Sequence, residues 1–430
     1  MKRQIQKIVA AALALGSFTN ATAQINAADS VMNHAGGHRL SVGGYGEVAF
    51  SRNFYSDNVY KYSEPSKYKN ADSHGRFDLP HAVIYLGYDF GKGWTMGTEI
   101  EFEHGGSGSA YEREYEEGGE WESETEKGGE VELEQFWLQK SFSRALNLRI
   151  GHIVVPVGLN NAHHEPLNFF TVYRPEGENT ILPSTWHQTG VSLWGRLAKF
   201  RYELQFLEGL DAMQFDRDGW IHKGPHSAFE FDPASKYAVA ARLDYHAMPG
   251  LRIGVSGYYG HSINNTLMND ASEKLSGAVS IGSLDLTLNR YNWIVRGQVT
   301  YGHLGDAYYV KQLSGRSSKT SPYSSSEVGK NAVAIGIEAG YDVFSQIEQL
   351  KACNKKLYVF GRYDHYNPYI RDKRQSAYDY EQKDVMTFGV NYYPLPQIVI
   401  KADWSKRILK SPYNNEPSIN IGVAYQAFFL

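Results

Sequence analysis

Apolar and polar residues alternate along most of this chain. The segment 398–404 (IVIKADW) puts four apolar side chains on one face and Lys401 and Asp403 on the other. The segment 200–206 (FRYELQF) alternates in the same way, with Arg201 and Glu203 on its polar face. A period of two residues predicts a β-strand with one apolar and one polar side, whereas an amphipathic helix needs spacings of three and four.

Sixteen segments share this pattern. They lie near 38–50, 77–90, 93–104, 130–142, 146–156, 188–197, 199–208, 235–246, 251–261, 279–289, 291–303, 331–343, 357–367, 384–393, 397–406 and 418–429. The connections between them alternate in length, short ones such as 91–93 and 248–250 with long ones such as 51–76, 105–129 and 157–187. One short turn, 344–356, is irregular and contains Cys353.

This alternation of loop lengths predicts an all-β fold, a transmembrane up-and-down antiparallel β-barrel of about 16 strands. Such barrels have short periplasmic turns, long external loops and an even number of strands. A soluble β-sandwich would bury each apolar face behind a second sheet, and it would not sort its loops by length. In a barrel, Ile253, Leu286, Val299 and Ile400 should face lipid.

The first residues have the pattern of a secretory signal. Lys2, Arg3 and Lys7 precede a short apolar run, and the small residues Ala21 and Ala23 mark a cleavage site. We therefore expect a cleaved signal peptide at 1–23, a short periplasmic segment at 24–37 and the barrel at 38–430. With a single cysteine, the chain can form no internal disulfide.

Composition excludes some function classes. The formal charge of −4 becomes −7 without the three basic residues of the signal, which argues against a nucleic-acid partner. The 31 Tyr outnumber the 20 Phe, as expected where side chains have one apolar and one wet end. The chain has no Gly-x-Ser-x-Gly elbow, and His163-His164-Glu165 is not a His-Glu-x-x-His motif. We predict no catalytic residues, no cofactor and no metal site.

Two stretches carry a resemblance to a known family. They are 149–158 (RIGHIVVPVG), a strand that ends in a Gly and Pro-x-Gly pattern, and 189–195 (TGVSLWG), which begins with a Gly-Val pair after a long loop. With these motifs the chain resembles the phosphate-selective porin O and P family, in the form common in Bacteroidetes-type bacteria. The resemblance implies a homotrimeric outer-membrane porin whose third external loop folds inward and narrows the pore.

That loop is predicted at 159–187, and the alternation predicts which charged side chains point into the barrel. The candidate pore-lining or constriction residues are Arg149, Arg196, Arg201, Arg242, Arg252, Arg296, Arg362, Lys401, Glu203, Asp244, His163, His164 and Arg174. Several opposite charges stand two apart on one strand and so share a face, as Arg242 and Asp244 do. A phosphate-selective pore needs basic residues without acidic neighbours. The sequence therefore leaves anion against cation preference open.

The predicted function is passive diffusion of small hydrophilic solutes or ions across a bacterial outer membrane, with anions such as phosphate as one possibility. Its expected partners are outer-membrane lipid, lipopolysaccharide and the solutes themselves. Glu residues are concentrated in 112–134, where they would either influence ions at the pore mouth or form a solvated external loop. The alternatives are a barrel that acts as an adhesin and a barrel-embedded hydrolase.

Overall fold

The computed structural model describes residues 39–430 except 59, 72, 116–120, 184, 226–231, 266–273 and 314–326, and it leaves the side chains of 105–130 and 162 undescribed. The predicted signal peptide and the segment 24–37 lie outside the described residues. Within the described part, no helix is both long and apolar enough to span a membrane.

The described strands form one antiparallel sheet that closes on itself, because the first strand pairs with the last. The strands are β1 (Leu40–Asn53), β2 (His74–Asp78), β3 (His81–Gly91), β4 (Trp94–Tyr115), β5 (Trp121–Ser143), β6 (Leu146–Val154), β7 (His187–Leu197), β8 (Phe200–Glu208), β9 (Tyr237–Met248), β10 (Leu251–His261), β11 (Ala278–Arg290), β12 (Trp293–Leu304), β13 (Asn331–Asp342), β14 (Lys356–Ile370), β15 (Lys383–Leu395), β16 (Ile398–Ile408) and β17 (Glu416–Phe428). In the described part of the chain, three short α-helices lie between the strands, α1 (Glu178–Ile181), α2 (Ala307–Leu313) and α3 (Glu348–Ala352).

The elements β2 and β3 are two parts of one strand. Both pair with β1, and only Leu79 and Pro80 separate them. Proline has no backbone N–H to give to the ladder, so it interrupts the strand at this point. The barrel therefore has sixteen strands, and the predicted fold class is confirmed.

One predicted connection is wrong. The segment 105–129 was expected to be a loop, but β4 runs on to Tyr115 and β5 starts at Trp121, so most of it is an extended hairpin. The sequence of this region is rich in Gly, Ser and Glu and lacks the apolar–polar contrast that marks a strand. The end of the acidic stretch 112–134 consequently lies on β5, where Glu134 is buried.

The outer surface of the barrel is apolar. Large hydrophobic side chains are exposed at every second position, including Leu204 and Phe206 on β8, which are 52% and 53% exposed. Of the four predicted lipid-facing residues, Val299 and Ile400 are exposed, whereas Ile253 and Leu286 are only partly exposed. An apolar belt of this kind would be unstable in water, and it is the lipid-facing band of a membrane-spanning barrel.

The connections differ between the two ends of the barrel. At one end the turns are tight; Tyr291 and Asn292 alone join β11 to β12, and both have positive φ (55° and 66°). This is the backbone conformation that a two-residue hairpin turn needs. The longer turn at 343–355 contains α3 and the exposed Cys353. The long connections lie at the opposite end.

Candidate functional site

The connection between β6 and β7 runs into the barrel. It comprises residues 155–186, so it starts four residues before the predicted 159–187 and ends before His187, which begins β7. We call it the inward loop. Its side chains Val155, Val157, Ile181 and Trp186 are fully buried. Its short helices contact the wall strands β1, β13, β14 and β17.

Lys401 of β16 holds the first part of the inward loop. Its ammonium group donates hydrogen bonds to the carbonyl oxygens of Pro166 (2.6 Å), Phe169 (3.1 Å) and Thr171 (2.9 Å). Two residues along the strand, the Asp403 carboxylate accepts a bond from the Val172 backbone N–H at 2.6 Å. The buried ammonium group of Lys401 thus has three backbone carbonyl acceptors, which replace the hydrogen bonds that it would make with water.

Glu178 of α1 closes the loop on itself. Its carboxylate accepts the backbone N–H groups of Leu159 (3.0 Å), Asn160 (2.8 Å) and Asn161 (3.3 Å). Burial raises the pKa of Glu178 to about 7, against the opposing effect of these hydrogen bonds. Gly158 has φ +83°, and a Cβ there would stand 2.2 Å from the Glu178 Oε1 atom, so the close approach needs glycine.

The opposite flank of the inward loop is apolar. Ile181, Leu182 and Trp186 belong to one buried cluster with Trp220 and Ile221, which come from the next external loop. Inward side chains of β5, β6 and β8 to β15 complete this cluster, and the Trp220 indole N–H donates to the Gly329 carbonyl at 3.0 Å. Apolar packing therefore fills this part of the barrel interior and fixes the loop there.

Charged residues on β8 to β11 form a chain of ion pairs. Arg242 lies 2.9 Å from both Asp244 and Asp285, and Arg252 lies 2.8 Å from the same two carboxylates. Arg201 pairs with Glu203 at 2.8 Å. The Nη1 atom of Arg242 also donates to the carbonyl oxygen of Gly158 at 2.7 Å, which ties this chain to the inward loop.

A second group of ion pairs lies on β12 to β14. Arg296 and Arg362 both bond to Glu338, and Arg362 also bonds to Asp364 at 2.6 Å. Arg296 lies over the Phe170 ring of the inward loop, 5.0 Å from its centroid. The structure thus brings the predicted basic residues of these strands to the interior, each beside a carboxylate.

The remaining predicted basic residues of the wall lie elsewhere. Arg149 is buried between Trp137 and Trp194, with its guanidinium carbon 4.5 Å and 5.6 Å from their ring centroids, and its Nε donates to Gln139. Stacking of this kind uses the guanidinium face and keeps Arg149 on the wall. Arg196 is half-buried near the tight turn between β7 and β8.

Three residues of the inward loop, His163, His164 and Arg174, were predicted to line the pore, and each has different neighbours. Burial and the nearby Arg252 lower the pKa of His163 well below its usual range, so this ring is neutral. His164 lies 3.4 Å from Glu99; burial opposes protonation, but this contact and the charge of Glu165 raise the pKa of His164. Arg174 contacts the Tyr45 hydroxyl at 3.2 Å.

The alternation in the sequence assigns Glu47, Glu99 and Glu101 to the interior without singling them out as site residues, and with Glu134 they form an acidic wall opposite the ion pairs. We use this name for Glu47, Glu99, Glu101 and Glu134, which face the interior on β1, β4 and β5 and are 1–8% exposed. His81 lies beside it, 2.5 Å from Glu101. The spacing of Glu99 and Glu101, and of Glu132 and Glu134, was a usable signal, since residues two apart share a face.

A cavity of about 340 Å³ separates part of the inward loop from β1 to β4. Four carboxylates, those of Glu47, Asp78, Glu103 and Glu176, are in its lining. Arg174 and three histidines also line it, so its fixed charge is negative when the histidines are neutral. Among the described residues, this cavity therefore has a net negative lining, and it lies beside an inward loop that hydrogen bonds fix to the wall and to itself.

No protein-family model matches the chain. An uncharacterized protein of Aquifex aeolicus (strain VF5) is 27% identical over 384 residues, which are 88% of this chain and 78% of that protein. Three solved structures each cover 90% of this chain. The anion-selective porin from Comamonas acidovorans has a TM-score of 0.54 at 9% identity over 99% of its chain. OmpF of Salmonella typhi scores 0.52 at 9%, and the outer membrane channel DcaP of Acinetobacter baumannii scores 0.51 at 11%, each over 97% of its chain.

At these identities the likeness shows the fold, which is that of outer-membrane porins. The specific phosphate-selective family is not identified by it. Together with the apolar outer belt, the fold locates the chain in a bacterial outer membrane.

Proposed function

We propose that this chain is a passive porin for small hydrophilic solutes and ions, and that the inward loop forms its constriction. The observation that carries the proposal is the way the loop is held inside a sixteen-stranded barrel. Lys401, Glu178 and Arg242 fix its backbone, while a cavity remains between it and β1 to β4. A fixed narrowing beside an open space is what a size-limited pore requires.

The solute path in this proposal follows the acidic cavity. On the side of β8 to β15 the loop packs against apolar residues, which leaves little space for a solute. The arginines on that side bond to carboxylates, so the net charge there is small. In the cavity, Glu47, Asp78 and Glu103 outnumber Arg174. A low-dielectric passage with net negative charge concentrates cations, and we therefore propose a cation preference.

Phosphate selectivity, which the family resemblance implies, is not part of this proposal. A phosphate path needs arginines whose forks are open to the ligand. Here the forks of Arg242 and Arg362 are directed at Asp244, Asp285 and Asp364 at 2.6–3.1 Å. A measured preference for anions would favour the phosphate-selective family again.

We also propose that the porin is a homotrimer in contact with outer-membrane lipid and lipopolysaccharide. This part rests on the resemblance of 149–158 and 189–195 to the porin family. If it is correct, channel insertions into a planar bilayer should come in groups of three equal conductance steps. Single isolated steps would indicate a monomer.

The test of passive diffusion uses the purified, folded protein in liposomes. Liposomes that contain the protein should swell in solutions of small neutral sugars, and the rate should fall as the sugar becomes larger. Protein-free liposomes are the control, and planar-bilayer conductance is the second reading. If folded, inserted protein gives neither swelling nor conductance, the barrel is closed, and the adhesin and hydrolase alternatives take precedence.

A further inference from the structure

Three potential metal ligands converge at the edge of the inward loop. Glu99 lies on β4, Glu134 on β5 and His164 on the loop, and one ligand atom of each lies within 4.8 Å of the other two. Three atoms so spaced are all within about 2.8 Å of a common point, close to the 2.0–2.2 Å of a Zn²⁺–ligand bond. The three side chains are 2%, 1% and 4% exposed.

Glu134 is the unusual member of this group. Neither of its carboxylate oxygens receives a hydrogen bond, although both are buried. Its neighbours Glu99 and Glu101 are carboxylates as well, so a hydrogen bond between Glu134 and Glu101 forms only if one of the two carries a proton, and the positive charge of Arg174 acts on Glu134 without a hydrogen bond to its oxygens. A buried carboxylate without donors is strongly destabilising, and a cation or a proton has to compensate it.

The backbone explains how Glu134 comes to face inward. The register of β4 and β5 shifts at this point, because Glu99 pairs with Gln135 while Ile100 pairs with Leu133. Glu134 is the extra residue of this β-bulge, and both Glu134 and Gln135 are buried. Bulges re-aim side chains next to functional sites.

The orientation of His164 points to a ligand. Its Nδ1 atom lies 3.1 Å from the Asn161 carbonyl oxygen, so in the neutral ring Nδ1 carries the hydrogen. The lone pair is then on Nε2, which faces the Glu99 Oε1 atom at 3.4 Å. The His164 Nε2 and Glu99 Oε1 atoms would then be two acceptors that repel each other unless a proton or a cation lies between them. A backbone carbonyl behind the ring is also the usual support of a metal-bound histidine.

We propose that Glu99, Glu134 and His164 bind one divalent transition-metal cation, with Zn²⁺ as the probe, and that this cation ties the inward loop to the barrel wall. Two carboxylates and an imidazole suit Zn²⁺ or Mn²⁺ rather than Ca²⁺, which takes oxygen ligands. The neighbouring group His81, Glu101 and Glu103 is a poorer candidate, since Glu101 already contacts His81, Tyr45 and Arg174. The proposal does not depend on solute passage, because a non-conducting barrel would bind the cation equally well.

The experiment measures Zn²⁺ binding to the full chain, folded in detergent and stripped of metal with a chelator. Calorimetry and metal analysis should give one Zn²⁺ per chain. Glu134→Gln and His164→Gln should each weaken binding by more than about 100-fold, beyond the loss typical of outer-shell changes. Glu132→Gln is the matched control, since it changes the same residue type two positions along β5, and its affinity should equal that of the wild type.

Several results would overturn the proposal. Wild-type protein that binds no Zn²⁺, with an infrared band of a protonated carboxyl that disappears in Glu134→Gln, would show that a proton occupies the site. Binding retained in Glu134→Gln but lost in Glu103→Gln would move the site to the neighbouring group. Should a variant not fold, wild-type protein loaded with Mn²⁺ provides the test. Electron spin echo spectra must then show coupling to one imidazole nitrogen, and its absence would also contradict the site.

Discussion

Replacing Lys401 with methionine should release part of the inward loop. The lysine ammonium bonds to the carbonyls of Pro166, Phe169 and Thr171, and it lies 4.1 Å from the centroid of the Phe169 ring. Methionine matches the lysine side chain as far as Cε and keeps its apolar contacts, but it lacks the ammonium group and so has no donor. Three carbonyl groups therefore lose their partner, while the wall strand β16 is otherwise unchanged.

The size of the effect follows from these contacts. A hydrogen bond to a charged group contributes about 1.5–3 kcal/mol, and three are lost. Removal of the buried ammonium recovers several kcal/mol of desolvation. The net loss of loop docking is then on the order of 2–4 kcal/mol. At 1.4 kcal/mol per factor of ten, the ratio of docked to undocked loop should fall roughly 30- to 700-fold.

The assay is single-channel recording in a planar bilayer. Lys401→Met should show larger conductance with frequent transitions between levels, whereas the wild type should show one steady level. Lys406→Met is the matched control, because Lys406 lies at an outward position of the same strand. Steady currents of wild-type size in Lys401→Met would refute the view that this lysine holds the constriction.

Three further changes test other parts of the structure. Leu284→Arg puts a charge on the exposed outer face of β11, where it should cost about 2–4 kcal/mol and lower the yield of inserted barrel in a refolding assay, with Leu284→Ala as the control. Arg362→Met leaves Glu338 and Asp364 without a shared partner; this should destabilise the barrel by about 3–5 kcal/mol in urea unfolding, and an unchanged midpoint would contradict the ion-pair account. Glu178→Gln puts an amide where a carboxylate accepts three N–H groups, so protease cleavage within 155–186 should become faster, whereas equal cleavage would mean that the loop does not need this contact.

The strands were predictable from the sequence because a half-lipid, half-water environment imposes a strict period of two. The strand predicted at 251–261 is observed as Leu251–His261, and most others agree within three residues. The period of two did not predict the extension of β4 and β5, because the sequence at 105–129 does not alternate between apolar and polar residues. The period of two also predicted that Arg242, Arg362 and Lys401 face the interior, since every second residue of a strand lies on the same face.

The partners of those side chains were not predictable. Arg242 bonds to Asp285, which is 43 residues away, and that contact depends on the register of three neighbouring strands. Lys401 bonds to Pro166, 235 residues away, across the inside of the barrel. The β-bulge that turns both Glu134 and Gln135 toward the interior has no local signal in the sequence either. Such contacts follow from closure of the barrel and from loop packing, neither of which leaves a local pattern in the sequence.

The most direct test of the acidic solute path is the reversal potential of the open channel under a gradient of potassium chloride. Wild-type protein should show cation preference, and Asp78→Asn combined with Glu103→Gln should reduce it, because these carboxylates line the cavity. Ser345→Ala, in the turn at the opposite end of the barrel, should leave it unchanged. An anion preference in the wild type, or no change in the double variant, would contradict the proposed path.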